Sequence, residues 1–336
     1  MSLKPRWLRF AAIPLALGMF GAACGGGPQG GAGGDVPRFV SIATGGTGGA
    51  YYPIGGAMGS LLGREIDGLQ NATAEATGGS VENIRLLHDG QAEMAIAQGD
   101  AVHQGCNGEG DFEEPQNIAT IALMYVNLLQ ITYPADRGIN RFEDLAGKRV
   151  SVGDAGSATE VFMRQITEFK GMSYDDFAEA QRLPFDDQVT AMRNNQLDVG
   201  TWVVAPGVSS IQDLASSEQI QIMEFSEEDL KALSEKYPYY FPAEVEGGTY
   251  QGLDEPVTVP GTWNSVVVSK DLGEDFVYQV TKALHENVDA LAKGHPAAGD
   301  LAPENIENAL CPLHPGAMRY FEEQGVEVPE DMRPTS

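Results

Sequence analysis

Positive charge is the first thing this chain is short of. Its 336 residues hold 21 Lys and Arg against 48 Asp and Glu, a formal net charge of −27. Three of the cations, Lys4, Arg6 and Arg9, fall within the first 23 residues, where no acidic residue accompanies them. The remainder carries 18 basic and 48 acidic side chains, a net charge of −30. A surface of that sign repels nucleic acid and anionic lipid, so polyanionic partners are excluded. It also excludes long-range steering of an anionic ligand, which would have to be held by local dipoles. The solvated acidic surface of an exported or salt-adapted protein accounts for most of this charge.

Long apolar runs are lacking too. After residue 23 no stretch approaches the roughly 18 unbroken apolar residues of a membrane span, so a soluble body is expected. With 3 cysteines, no CxxC and no Cys/His cluster, neither a metal site nor a cofactor is expected. The hydrolase signatures HExxH, GxSxG and SxxK do not occur. The histidines, His88, His103, His285, His295 and His314, form no ligand or catalytic pattern, and His314 in LHPGA reads as a loop or capping residue. Nucleotide loops are missing as well: there is no GxxxxGK[ST], and GGTGGAYY does not satisfy GxGxxG. No repeat of 20 to 50 residues is evident.

What is present begins with a leader. The basic start is followed by an apolar run from Phe10 to Phe20 and the small residues Gly21-Ala22-Ala23. This order reads as a secretory signal peptide over residues 1–23. Cys24 follows at once and is a candidate for lipidation, although Gly21 stands where a lipobox usually has Leu. Ordinary cleavage near Ala23 is the alternative. Residues 24–36 read as an anchor cysteine and a flexible Gly-rich tether. If Cys24 carries lipid, Cys106 and Cys311 remain as an even pair outside the reducing cytoplasm, and a disulfide between them is expected.

From residue 37 onward, strand-like and helix-like stretches alternate, which is the pattern of an α/β sheet protein. Strands are expected over 38–43, 70–76, 92–98, 118–132 (one or two), 148–153, 197–204 and 256–268. Helices are expected from Pro53 to about Ile66, over 81–90, 161–171, 186–195, 224–238 and 274–293, and around 313–325. A short helix over 141–147 would close at Gly147. The segments divide into lobe 1 (37–132 with 255–336) and lobe 2 (133–254), a two-lobed hinged clamp with a mixed sheet flanked by helices in each lobe.

At three places a strand runs into a turn rich in Gly, Ser and Thr that opens a helix: Thr44–Tyr52, Thr77–Asn83 and Asp154–Glu160. Glycine lets backbone approach a ligand closely. Unpaired amides at a helix start attract a carboxylate or phosphate. Thr47, Tyr51, Thr77, Ser80, Ser157 and Thr159 would add hydroxyl donors. Simpler readings stand beside this one. Ser157 to Glu160 fits a capping box, Ser80 an N-cap, and Asp100 the start of a helix as well as an acceptor for a ligand amine. Tyr237, Tyr239, Tyr240 and Phe241 read as core or interface.

These segments resemble the TAXI branch of TRAP-transporter solute-binding proteins. The matching stretches are IATGGTGGAYYPIGGAM from Ile42, TGGSVENIRLLHDGQAEMAIAQGD from Thr77, FEDLAGKRVSVGDAGSATE from Phe142, LDVGTWVVAPG from Leu197, VYQVTKALHEN from Val277 and LHPGAMRY from Leu313. The resemblance implies a type II periplasmic-binding-protein fold that closes on a small carboxylate, such as glutamate, glutamine or a dicarboxylate, and delivers it to a TRAP membrane permease driven by an ion gradient. It implies ligand contacts at Thr47, Gly48, Gly49, Tyr51, Thr77, Gly78, Gly79, Ser80, Gln98, Asp100, Ser157, Ala158 and Thr159. The chain departs from the pattern at Ala158 and Ala205, where Gly is common. The expected protein is not an enzyme and lies in the periplasm or on the outer face of the cell membrane. A ligand-sensing module feeding a signalling partner would use the same clamp.

Overall fold

Short apolar runs bounded by glycine turns become strands, and the amphipathic stretches between them become helices that cover the sheet. The computed structural model describes residues 36–334. Along the chain these are β1 (Phe39–Ala43), α1 (Tyr51–Glu65), β2 (Asn71–Glu75), α2 (Ser80–His88), β3 (Met94–Gln98), α3 (Gly99–Asn107) and the long β4 (Ile118–Pro134). Then follow β5 (Arg149–Ser151), α4 (Ala158–Phe169), β6 (Glu179–Gln181), α5 (Phe185–Arg193), β7 (Gly200–Val204), α6 (Ser209–Ser217), β8 (Ile220–Ile222), α7 (Glu227–Lys236) and β9 (Phe241–Val245). The last elements are β10 (Val257–Ser269), α8 (Glu274–Glu286), α9 (Val288–Ala292) and α10 (Pro315–Gln324).

Eight strands form one curled sheet in the order β2-β1-β3-β10-β4-β7, with β8 also on β4 and β9 also on β10. β1 is parallel to β2 and β3, while β10 is antiparallel to β3, β4 and β9, so the sheet is mixed. β5 and β6 form a parallel pair beside it. β4 and β10 are long enough to run through both lobes. At one end they flank β3, and at the other they hold β7, β8 and β9.

Four hydrophobic clusters pack against the sheet, and the one around Val81 and Ile84 also takes in Ala158 and Val161 of α4. One large cluster packs Ile42, Ile54, Met58, Leu61, Met94, Phe276 and Phe321, with a smaller one around Val81, Ile84 and Ala97. At the far end of the long strands, Leu129, Ile131, Phe162, Met163 and Tyr240 form a second core, and Leu197, Trp202, Ile211 and Val259 a third. Tyr240 stacks on Phe162 at 3.7 Å between ring centroids. Tyr239 and Tyr240 are therefore core, with Tyr237 and Phe241 half-buried beside them, and this aromatic burial adds to stability there.

Several elements differ from the sequence reading. Of the one or two strands expected over 118–132 there is one, β4, covered on both faces, although its pairing with β10 shifts register twice. The helix expected over 274–293 breaks at Asn287, whose φ −129° and ψ 37° lie outside the helical range. The stretch 141–147 is a 3₁₀ turn over Phe142–Leu145, too short for a full helical turn to settle. β6, α6, β8 and β9 carried too weak a period to be read. Cys106, at the end of α3, and Cys311 form a disulfide with their Cα atoms 5.8 Å apart. Among the described residues no helix is long and apolar enough to cross a membrane, and no cluster suited to a metal ion occurs. The leader, Cys24 and most of the tether lie outside the described residues.

Candidate binding cleft

The three Gly- and hydroxyl-rich loops converge where β4 and β10 pass between the lobes. Each loop is the turn between a sheet strand and the helix it opens, so the sheet fixes its position and the helix its direction. Gly45, Gly46, Gly49, Ala50 and Tyr51 come from the start of α1, Gly78, Gly79 and Ser80 from the start of α2, and Ser157, Ala158 and Thr159 from the start of α4. With Gln98, Tyr125, Asn127, Phe185, Val203 and Val204 they enclose a cavity of about 450 Å³ of empty space, counting its mouth. Among the described residues no ionisable group other than tyrosine lines it.

The floor is an amide network. Gln98 Nε2 donates to both carboxylate oxygens of Asp100 at 3.0 and 3.1 Å. Asn127 Nδ2 donates to Gln98 Oε1 at 3.2 Å and to Asn264 Oδ1 at 2.9 Å. Asn264 Nδ2 donates to the Tyr125 carbonyl at 3.0 Å, and the Tyr51 hydroxyl donates to Asn264 Oδ1. Among the described residues, two buried polar atoms of the lining have no partner: Asn127 Oδ1 and the Tyr125 hydroxyl. Burial pushes the Tyr51 phenol up, with the nearby Asp100 charge adding to it and hydrogen bonds with Ser80 and Asn127 opposing.

The walls differ in kind. The Ser80, Ala158 and Thr159 amides, in the first turns of α2 and α4, have no hydrogen-bond partner among the described residues. Ser157 Oγ accepts from Glu160 N at 3.2 Å and so caps α4. Beside the cavity a second space of about 500 Å³ is lined by Thr47, Gly48, Asp154 and Asp186, among others. Burial raises the Asp154 carboxyl above its ordinary value, and the acidic neighbours Glu82, Asp187 and Glu160 push in the same direction. The approach to the cavity is thus acidic.

Not every residue marked in the sequence reaches the cavity. Gly49, Tyr51, Gly78, Gly79, Ser80, Gln98, Ser157, Ala158 and Thr159 line it, and Thr47 and Gly48 line the neighbouring space. Thr77 lines neither, because its hydroxyl is tied to Asn83 Oδ1 at 2.6 Å and accepts from Gly79 N. Asp100 lies behind Gln98, fully buried, and accepts from the Tyr240 hydroxyl at 2.8 Å and Ala101 N at 2.7 Å. His314 caps α10 by accepting from Gly316 N at 3.2 Å. Reasoning from sequence passed over Tyr125, Asn127, Phe185, Val203 and Val204. A lone Asn inside the apolar run of β4 was the one available signal.

The glycines have a further use. The α2 amides of Val81 and Glu82 donate to the Gly156 carbonyl from the opposite lobe, at 3.1 and 3.2 Å. A Cβ on Gly78 would lie 2.7 Å from the Ala155 carbonyl oxygen, and one on Gly48 would overlap the Asp186 carboxylate. The loops are bare so that the lobes can touch each other. Arg164 pairs with Asp111, and Ser210 Oγ donates to the Gly48 carbonyl at 3.3 Å, across the same cleft. The two sides of the cleft are thus in direct contact in this structure.

The structure superposes on a protein from Bordetella bronchiseptica RB50 with a TM-score of 0.52 at 16% identity, covering 88% of this chain and 86% of that one. PhnD1 from Prochlorococcus marinus (MIT 9301), solved in complex with methylphosphonate, gives 0.51 at 9% identity, over 79% and 92%. A putative L-cystine ABC transporter from Listeria monocytogenes gives 0.49 at 14% identity, over 78% and 96%. At such identities the likeness to the first two is one of fold, a mixed α/β architecture. The sequence itself matches the family described as NMT1-like over residues 42–325. With most of its length inside that match, the chain belongs to the NMT1-like family.

Proposed function

We propose that this chain is an exported solute-binding receptor of the TRAP type, TAXI branch, which closes on a small carboxylate and hands it to membrane permease subunits. The observation that carries the reading is the cleft where three helix-opening loops converge, lined by neutral donors at the starts of α2 and α4. Helix-start amides hold a carboxylate without a cation, which suits a chain whose surface would not steer an anion. Tyr51, Ser80, Ser157, Ala158 and Thr159 are the contacts proposed. The lobes are taken to turn about β4 near Asn127 and β10 near Asn264, and the ligand favours the closed form by its differential affinity for it. No turnover is proposed, since the lining offers no histidine, cysteine or carboxylate for acid–base or nucleophilic work. The leader, Cys24 and the Gly-rich tether support export and anchoring by lipid at the outer face of the membrane.

A panel of glutamate, glutamine, other amino acids and dicarboxylates, read by thermal unfolding, tests this. A ligand at a hundred times its Kd adds about 2.7 kcal/mol to stability. If no small carboxylate raises the melting temperature while an unrelated solute does, the ligand class is wrong. Uptake reconstituted with TRAP membrane subunits and a sodium gradient tests the partner, and transport only with an ATP-driven permease would reassign it.

A further inference from the structure

The floor of the cavity has a chemical sign, and two independent anchors set it. An asparagine amide carries one acceptor and two N–H donors, and only its neighbours decide which end faces where. For Asn127 the decision starts at Asp100 on one side. That carboxylate takes Gln98 Nε2 on both oxygens, which turns Gln98 Oε1 toward Asn127. On the other side the Tyr125 backbone carbonyl takes Asn264 Nδ2, which turns Asn264 Oδ1 toward Asn127. Three oxygens therefore meet Asn127 Nδ2, the two amide acceptors at 3.2 and 2.9 Å and the Tyr51 hydroxyl at 3.4 Å. Its donors are spent. Turning the amide over would set its oxygen against two other oxygens.

What remains is Asn127 Oδ1, an acceptor on a side chain only 2% exposed, in a residue that lines the cavity, with no partner among the described residues. A buried acceptor left unmet is costly, on the order of 1–3 kcal/mol, so an occupant that supplies a hydrogen is favoured over one that does not. The other unpartnered atom, the Tyr125 hydroxyl, either donates or accepts and imposes no such choice.

We propose that Asn127 is a specificity-determining residue: the ligand group that reaches the floor is an N–H or O–H donor, an amide, ammonium or hydroxyl, and not a carboxylate. The proposal rests on the reading of the cleft as a solute site. Combined with the donor amides at the starts of α2 and α4, it makes the pocket two-ended. Donors at the wall take the carboxylate, and an acceptor at the floor takes a hydrogen. The ligand class is then monocarboxylates that carry a donor at the far end. Symmetric dicarboxylates are disfavoured.

The test uses pairs that differ only in this respect. Glutaramate and glutarate, and succinamate and succinate, are near-isosteric, one member ending in an amide and the other in a carboxylate. Calorimetric titration of the mature protein at pH 7.5 is expected to show the amide binding at least tenfold tighter in each pair that binds. Asn127→Leu is expected to shrink that ratio below about threefold. Equal or tighter binding of the diacid by the wild-type protein overturns the proposal and needs no variant, so a misfolded variant does not rescue it. A wild-type preference that persists unchanged in a folded Asn127→Leu protein also overturns it. Failure of every member of the pairs, with binding of a solute of another class, instead overturns the carboxylate receptor reading, and this inference with it.

Discussion

Asp100 is the residue whose surroundings are least ordinary. It is a carboxylate with no cation beside it, fully buried under Tyr240 and Gln98. Burial raises its pKa from 3.8 to about 6, against the pull of hydrogen bonds from Tyr240, Ala101 and Gln98. The folded state thus binds this proton more tightly than the unfolded chain. Between pH 6 and 4 the native state holds the extra proton, so acidification relieves a cost that is fully present above pH 6. Unfolding by urea at pH 7.5 and 4.5 should show wild type gaining about 2 kcal/mol relative to Asp100→Asn on going to the lower pH. A difference between the two proteins that does not change with pH would mean that Asp100 does not titrate in this range. The same residue illustrates what a sequence shows and what it hides. A helix start and a ligand acceptor were both legible at position 100. Only the fold reveals that its partner is Tyr240, 140 residues away. Asn127 was hidden for a related reason: one amide in a run of apolar residues says strand, and its unmet oxygen exists only after Gln98 and Asn264 have closed on it.

At the scale of elements, the glycine loops were the clearest marks in the sequence, and three elements do start from them. Their spacing predicted strands and helices well because each loop interrupts one period and begins another. Their purpose was only half legible. Bare backbone was read as room for a ligand, whereas at Gly78 the near neighbour is the Ala155 carbonyl of the other lobe. A methyl group there has 2.7 Å to that oxygen, and backbone yields less readily than a side chain. Gly78→Ala should therefore weaken ligand binding about tenfold or more, with the unliganded melting temperature nearly unchanged. Calorimetry and thermal unfolding of the same preparation check this. A variant with wild-type affinity would show that the loops close with slack to spare. The missed elements β6, β8 and β9 are three to five residues long. Their pairing with β5, β4 and β10 makes them strands, and no local pattern carries that information.

For the whole molecule, one covalent link stands out. The disulfide joins residues 205 positions apart and ties the end of α3 to the segment before α10. Closing so long a loop removes about 5 kcal/mol of unfolded-state entropy in the chain-entropy description. Cys106→Ala with Cys311→Ala should lower stability by about 2–5 kcal/mol in urea unfolding, and loss of less than 1 kcal/mol would locate the stability of this lobe elsewhere.

The continuity of the sheet has a mechanical consequence. In a body that turns about a ribbon, displacement grows with distance from the axis. If β4 and β10 are that ribbon, as proposed, Asn127 and Asn264 lie near its axis and the Asp154–Glu160 loop is carried by the other lobe. A solute settling on the floor would then meet the atoms that move least before the loop reaches it. Such a clamp would examine the far end of its guest while still open, and commit to the near end only on closing.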